Sequence, residues 1–164
     1  MEYYDMLKEK IQKKEAKIGV IGLGYVGLPL SMEMVKGGDF VYGIDLDVHK
    51  VEALSRGESY IQDVPRSVVA NAVRTGSFRP TNDYRVLRKV DVINICVPTP
   101  LSHHQDPDTS YIESVVREMK KYLKKGTLII LESTTYPGTT EELIQRKLEA
   151  QNLKAGEEIG RAHV

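Results

Sequence analysis

An apolar run, Ile18-Gly19-Val20-Ile21, leads straight into Gly22-Leu23-Gly24-Tyr25-Val26-Gly27, and a second apolar stretch opens behind it. A strand that passes through G-x-G-x-x-G into a helix is the start of a dinucleotide-binding βαβ unit. Each glycine has its own task there. The first permits a tight turn, the second lets a pyrophosphate reach the backbone, and the third lets the helix pack close to the strand. The helix N-terminus adds free N–H groups and the positive end of its dipole. A close-packed strand–helix turn without ligand is one alternative reading, and a flavin or S-adenosylmethionine site is another.

The next apolar segment, residues 40–45, ends in an acid. Asp45 lies 45 − 24 = 21 residues beyond the middle glycine. A carboxylate at that distance accepts bonds from the adenosine ribose hydroxyls and repels a 2′-phosphate, so NAD is expected over NADP.

Strand and helix signals alternate along the rest of the chain. Tyr4, Leu7 and Ile11 share one stripe of a helix over residues 2–14. Residues 17–22 read as a buried strand and 25–36 as the helix after the glycines, stopped by Gly37-Gly38. Asp47 caps a helix that carries Val48, Val51 and Leu54 and ends near Gly57. Residues 64–75 are helical with Pro65 in the first turn. Pro80 makes residues 77–81 a short edge strand. Residues 91–97 and 127–133 are two further buried strands. Ser110 with Glu113, and Thr139 with Glu142, have capping-box spacing ahead of two more helices. The pattern predicts an α/β fold, a Rossmann-type doubly wound parallel sheet ordered 3-2-1-4-5 with helices on both faces. Residues 127–133 then form an edge. Residues 128–131 carry neither charge nor proline, so this edge is a template for pairing with another chain.

Ligands of such sheets sit beyond the carboxyl ends of the strands. Two of these ends carry suggestive residues. Val97-Pro98-Thr99-Pro100-Leu101 is a stiff loop fit to border a cofactor. Glu132-Ser133-Thr134-Thr135 offers hydroxyls to the nicotinamide end or to a water near it. Turn chemistry and capping explain both segments as well from local sequence alone. Cys96 reads as a small hydrophobe within its strand. His103, His104, Asp106 and Asp108 match no metal-site spacing, so no metal is expected. Lys120, Lys121, Lys124 and Lys125 favour the negative end of a helix.

Lys+Arg and Asp+Glu number 23 each, and this balance argues against a nucleic-acid partner. A single cysteine excludes an internal disulfide. No apolar run approaches the ~20 residues of a membrane span, and the N-terminus is too charged for a signal peptide. A cytoplasmic protein with no membrane partner is expected.

Together, "IGLGYVGLPL", "ICVPTPL", "PDTSYI" and "LESTTYPGTTEEL" resemble the N-terminal part of the nucleotide-sugar 6-dehydrogenases, most of all the UDP-N-acetylglucosamine branch. Relatives in that family act on UDP-glucose and UDP-N-acetylmannosamine. The resemblance covers nearly all of residues 16–150. It implies oxidation of a UDP-sugar's C6 alcohol to a carboxylate in two hydride transfers to NAD. It also implies NAD contacts at residues 22–27, Asp45, Lys50, the 97–101 loop and Thr134, with Glu132 opening the last motif. Thr135 matches the threonine that helps to place an active-site water. The family's catalytic cysteine belongs to a later domain, and Cys96 does not match it. The chain is therefore expected to be non-catalytic alone, and the full-length enzyme to be a homo-oligomer. A stand-alone, non-catalytic NAD-binding regulatory module is the alternative from another class. The "VPTP" and "STTYPGTT" segments speak against 3-hydroxyacid dehydrogenases of the 6-phosphogluconate type.

Three segments are expected: an N-terminal helix (1–15), a C-terminally incomplete NAD-binding domain (16–158) and a non-native tail (159–164). Reverse translation of the final "EIGRAHV" offers GAG ATC GGA AGA GCA CAC GTC, which reads like a sequencing-library adapter.

Overall fold

The structure is a computed structural model that describes residues 2–100, 108–133, 139–149 and 155–163. Its elements, in chain order, begin with α1 (Glu2–Gln12), β1 (Lys17–Ile21), α2 (Gly27–Lys36), β2 (Phe40–Ile44) and α3 (Val48–Ser55). Next come α4 (Arg66–Arg74), β3 (Phe78–Thr81), a 3-10 helix (Tyr84–Lys89) and β4 (Val92–Ile95). The chain then passes through α5 (Ser110–Met119), β5 (Leu128–Leu131), a π-helical turn (Thr140–Gln145) running into α6 (Arg146–Glu149), and β6 (Gly160–His163).

The strands form one sheet ordered β3-β2-β1-β4-β5-β6, and every neighbouring pair is parallel. Strands buried on both faces need apolar residues at consecutive positions, and this explains the runs in β1 and β4. Their side chains alternate between two cores. Val20, Leu28, Met32, Val41 and Phe78 pack on the face covered by α2 and α4. Ile21, Ile44, Ile95, Ile112 and Val116 pack on the face covered by α5 and the 3-10 helix.

The sheet extends the expected order by one strand. Residues 127–133 were expected at an edge, but β5 is paired on both sides, by β4 and by β6. β6 consists of residues expected to form a tail. Its ladder to β5 is made by backbone groups, so the pairing is indifferent to the origin of these side chains.

Three local expectations also change. Pro65 stands at the N-cap of α4, with extended φ −60° and ψ 139°, rather than in its first turn. Thr109, not Ser110, holds the N-cap position of α5 and makes no side-chain cap bond, and Glu113 accepts from Lys147 of α6 at 2.9 Å, a tertiary pairing in place of the local box. Thr139 has helical φ −52° and ψ −42° instead of the extended cap conformation.

Candidate cofactor-binding site

The strand register builds the site. Ile21 pairs with Ile44 on one side and Ile95 on the other, and Ile95 pairs with Leu131. The residues that follow, Gly22, Asp45, Cys96 and Glu132, therefore stand in one row at the carboxyl edge of the sheet. Backbone bonds continue through this row. Gly22 N–H donates to the Ile44 carbonyl at 2.8 Å, Cys96 N–H to Ile21 at 2.8 Å, and Glu132 N–H to Ile95 at 2.9 Å. Above it opens a cleft of about 750 Å³, centred where β1 and β4 lead their connections to opposite faces. That is the switch point where open α/β sheets bind ligands.

The three glycines divide by what demands them. Gly22 has φ +94°, and a Cβ there would lie 2.8 Å from the Cys96 carbonyl oxygen. A Cβ on Gly27 would run into the Gly22 carbonyl oxygen. Packing alone requires these two. Among the described residues a Cβ on Gly24 would meet nothing within 4 Å. Their packing leaves that space open, as a cradle for a group approaching the backbone must be. Behind it α2 has Val26 at its N-cap position, with no side-chain cap bond and no acid in the first turn. An anion suits such a helix end. The donors and the space thus fit a pyrophosphate.

Asp45 is shielded, with 13% of its side chain exposed. Its Oδ2 accepts the Leu23 N–H and its Oδ1 the Asp47 N–H, both at 2.9 Å. Each carboxylate oxygen keeps a further lone pair for a hydroxyl. Lys50 places Nζ 3.8 Å from Asp45 Oδ2. α3 positions this lysine, and Asp47 caps that helix as expected by accepting from the N–H groups of His49 and Lys50.

The cleft brings together Gly22, Leu23, Gly24, Tyr25, Val26, Asp45, Lys50, Val97, Pro98, Thr99 and Glu132 of the expected residues. Gly27 is buried behind the turn and Pro100 stands outside the lining. Thr134, Thr135, Leu101, His103, His104 and Asp106 lie outside the described residues. Ser133 Oγ donates to the Val97 carbonyl at 2.7 Å, tying the two strand ends together.

Cys96 is 8% exposed, and burial, then the Glu132 carboxylate, push its thiol up to about 12. It stays protonated and is no nucleophile. Tyr60, Tyr84, Tyr111 and Ser114 also line the cleft and were not anticipated. Tyr111 falls inside the "PDTSYI" motif, which was a signal. Tyr60 and Tyr84 sit in segments without a motif. Burial, then Asp45, holds both phenols above their ordinary pKa.

Three of the four clustered lysines are taken up in ion pairs: Lys121 with Glu118, Lys124 with Asp91 and Lys125 with Glu158. Among the described residues no helix is long and apolar enough to cross a membrane.

A doubly wound sheet with an open central glycine and an acid at the end of β2 defines a dinucleotide-binding domain of the dehydrogenase type. Residues 16–163 match the UDP-glucose/GDP-mannose dehydrogenase family, NAD binding domain, and the chain belongs to that family. NAD is the cofactor of this domain. The UDP-N-acetyl-D-mannosamine dehydrogenase of Escherichia coli (strain K12) is 40% identical over 131 residues, 79% of this chain and 30% of that protein. The crystal structure of NDP-N-acetyl-D-galactosaminuronic acid dehydrogenase from Methanosarcina mazei Go1 superposes with a TM-score of 0.84 at 33% identity, covering 96% of this chain and 36% of that one. The GDP-mannose dehydrogenase of Pseudomonas aeruginosa gives a TM-score of 0.83 at 29% identity, covering 88% and 34%. The chain thus spans about a third of the length of the proteins it matches.

Proposed function

We propose that this chain is the NAD-binding part of a dehydrogenase that oxidises the C6 alcohol of UDP-N-acetylglucosamine to a carboxylate, and that it does not catalyse alone. The balance is one alcohol, one water and two NAD giving one carboxylate, two NADH and three protons. The observation that carries the NAD reading is Gly24: its open side faces a cleft with Asp45 on one flank and the uncapped start of α2 behind. When bound, NAD supplies the hydride acceptor.

In this reading Asp45, with Lys50 beside it, takes the adenosine ribose. The turn at 22–26 takes the pyrophosphate, while Val97, Pro98, Thr99, Glu132 and Thr134 border the nicotinamide end. Thr135 places a water for the second oxidation. The apolar lip of Tyr25 and Val26, 81% and 56% exposed, suits cover by a substrate-bearing part of a longer protein. Within the family, the motif resemblance puts UDP-N-acetylglucosamine first. UDP-N-acetyl-D-mannosamine is the second reading, because it is the sugar in the E. coli relative's name. The full enzyme is read as a cytoplasmic homo-oligomer.

Isothermal calorimetry on the 164-residue chain tests the cofactor role. NAD should bind more tightly than NADP, and Gly24→Val should abolish binding while circular dichroism stays native. Equal affinity for both cofactors, or binding untouched in Gly24→Val, contradicts the assignment. Steady NADH production from UDP-N-acetylglucosamine by this chain would contradict the non-catalytic reading. A restored longer enzyme offered the UDP-sugars in turn would rank them by kcat/KM.

A further inference from the structure

Leu23 is held at both ends. Its N–H donates to Asp45 Oδ2 at 2.9 Å, and its carbonyl accepts the Tyr60 hydroxyl at 2.6 Å. Tyr60 comes from the segment between α3 and α4, a stretch without regular structure. That segment is nevertheless fixed. Ile61 and Val64 are buried, 6% and 5% exposed, and Ser59 Oγ donates to the Ile61 carbonyl at 3.1 Å. The Tyr60 ring also carries Lys50, whose Nζ lies 5.9 Å from the ring centroid. One tyrosine therefore touches both the glycine turn and the lysine paired with Asp45.

In a trans peptide the carbonyl and the following N–H point in opposite directions. The grip on the Leu23 carbonyl therefore sets the direction of the Gly24 N–H, which points away from Tyr60. Of the three glycines in the turn, Gly24 is the one whose side faces open space among the described residues. We propose that Tyr60 is a positioning residue for the pyrophosphate of the dinucleotide: by holding the Leu23 carbonyl it aims the Gly24 N–H at the phosphate oxygens. This rests on the reading of the cleft as the NAD site. Without the hydroxyl the Leu23–Gly24 peptide can rotate, and a donor aligned for phosphate is lost.

Tyr60→Phe is the direct test, since it keeps the ring and its contact with Lys50 and removes only the O–H. Calorimetry should show NAD and ADP-ribose affinity falling about tenfold, as for the loss of one aligned donor to a charged group. Adenosine, which has no phosphate, should bind as before, because Asp45 and Lys50 are untouched. A general loosening of the site would instead weaken all three ligands by the same factor, and that result overturns the proposal. So does unchanged affinity for NAD and ADP-ribose in a wild-type background that binds them. A wild-type chain that binds neither overturns the cofactor reading, and this inference with it. A second measurement needs no variant. The Gly24 amide resonance should move on adding ADP-ribose and stay in place on adding adenosine. No movement with bound ADP-ribose contradicts the proposed direction of that N–H.

Discussion

Asn94 stands in the middle of β4 at 1% exposure, and neither its Oδ1 nor its Nδ2 has a partner among the described residues. It pairs in register between Val20 and Ile130. A buried amide in that condition costs about 1–3 kcal/mol. Asn94→Val should therefore raise the unfolding midpoint by roughly 2–12 °C, read by differential scanning calorimetry. A lowered midpoint would show that the amide is satisfied. Asp45 works in the opposite direction. Asp45→Ala leaves the Leu23 N–H without its acceptor and removes the proposed ribose partner, so NAD affinity should fall by about 1–3 kcal/mol. Affinity for NADP should fall less, which narrows the preference measured by calorimetry. Gly22 and Gly27 were legible because backbone conformation and close packing dictate glycine there, and Gly24 and Asp45 because a dinucleotide fingerprint sets their type at a fixed spacing. Tyr60 was not, because its partner is a carbonyl 37 residues away and any nearby donor would serve.

α1 has no buried residue, yet it is anchored. Leu7 packs against the core on the α2 face, and Lys10 reaches Asp91 at 2.8 Å. Asp91 also accepts Lys124 at 2.9 Å and the Lys17 N–H at 3.0 Å. Burial pushes this carboxyl up, but the bonds from Lys10, Lys17 and Lys124 outweigh it and hold the pKa below the usual value. A lowered folded-state pKa gives stability that is fully present above the ordinary carboxylate value and is lost as pH falls from there through the lowered folded-state value. Asp91→Asn should cost about 1–2 kcal/mol at neutral pH, kept modest because both lysines are well solvated. The gap between variant and wild type should close below about pH 4. Urea denaturation at several pH values measures it, and a gap independent of pH would mean that charge plays no part. The lysine cluster shows where local reading ends. Helix-end chemistry accounted for four lysines within residues 120–125, but Lys124 serves a carboxylate 33 residues away. Likewise the Ser110 N–H that a capping box would give to Glu113 goes to Asp108 Oδ1 at 2.9 Å, and Glu113 accepts from Lys147 instead.

At the scale of the molecule, the parallel order of β3-β2-β1-β4-β5 was legible because apolar runs alternate with helical stripes. β6 was not, since Gly160-Arg161-Ala162-His163 has no apolar pattern and is recruited by free backbone groups of β5. With that edge paired, the expected self-association does not follow from β5. The 164-residue chain should sediment as a monomer. Deleting residues 159–164 uncovers the uncharged edge and should produce concentration-dependent association in analytical ultracentrifugation. A deletion variant that stayed monomeric would mean that the edge is protected by other means.

The row Gly22, Asp45, Cys96 and Glu132 has a further consequence. From Asp45 at the end of β2 to Glu132 at the end of β5 there are three strand spacings, about 14 Å. The hydrogen-bonded ladder fixes that span and makes the floor of the cleft a ruler. On the proposed reading, a mononucleotide seated at Asp45 ends over β1, and only a ligand with a second nucleotide half extends to β5. The cleft then sorts its ligands by length as well as by charge.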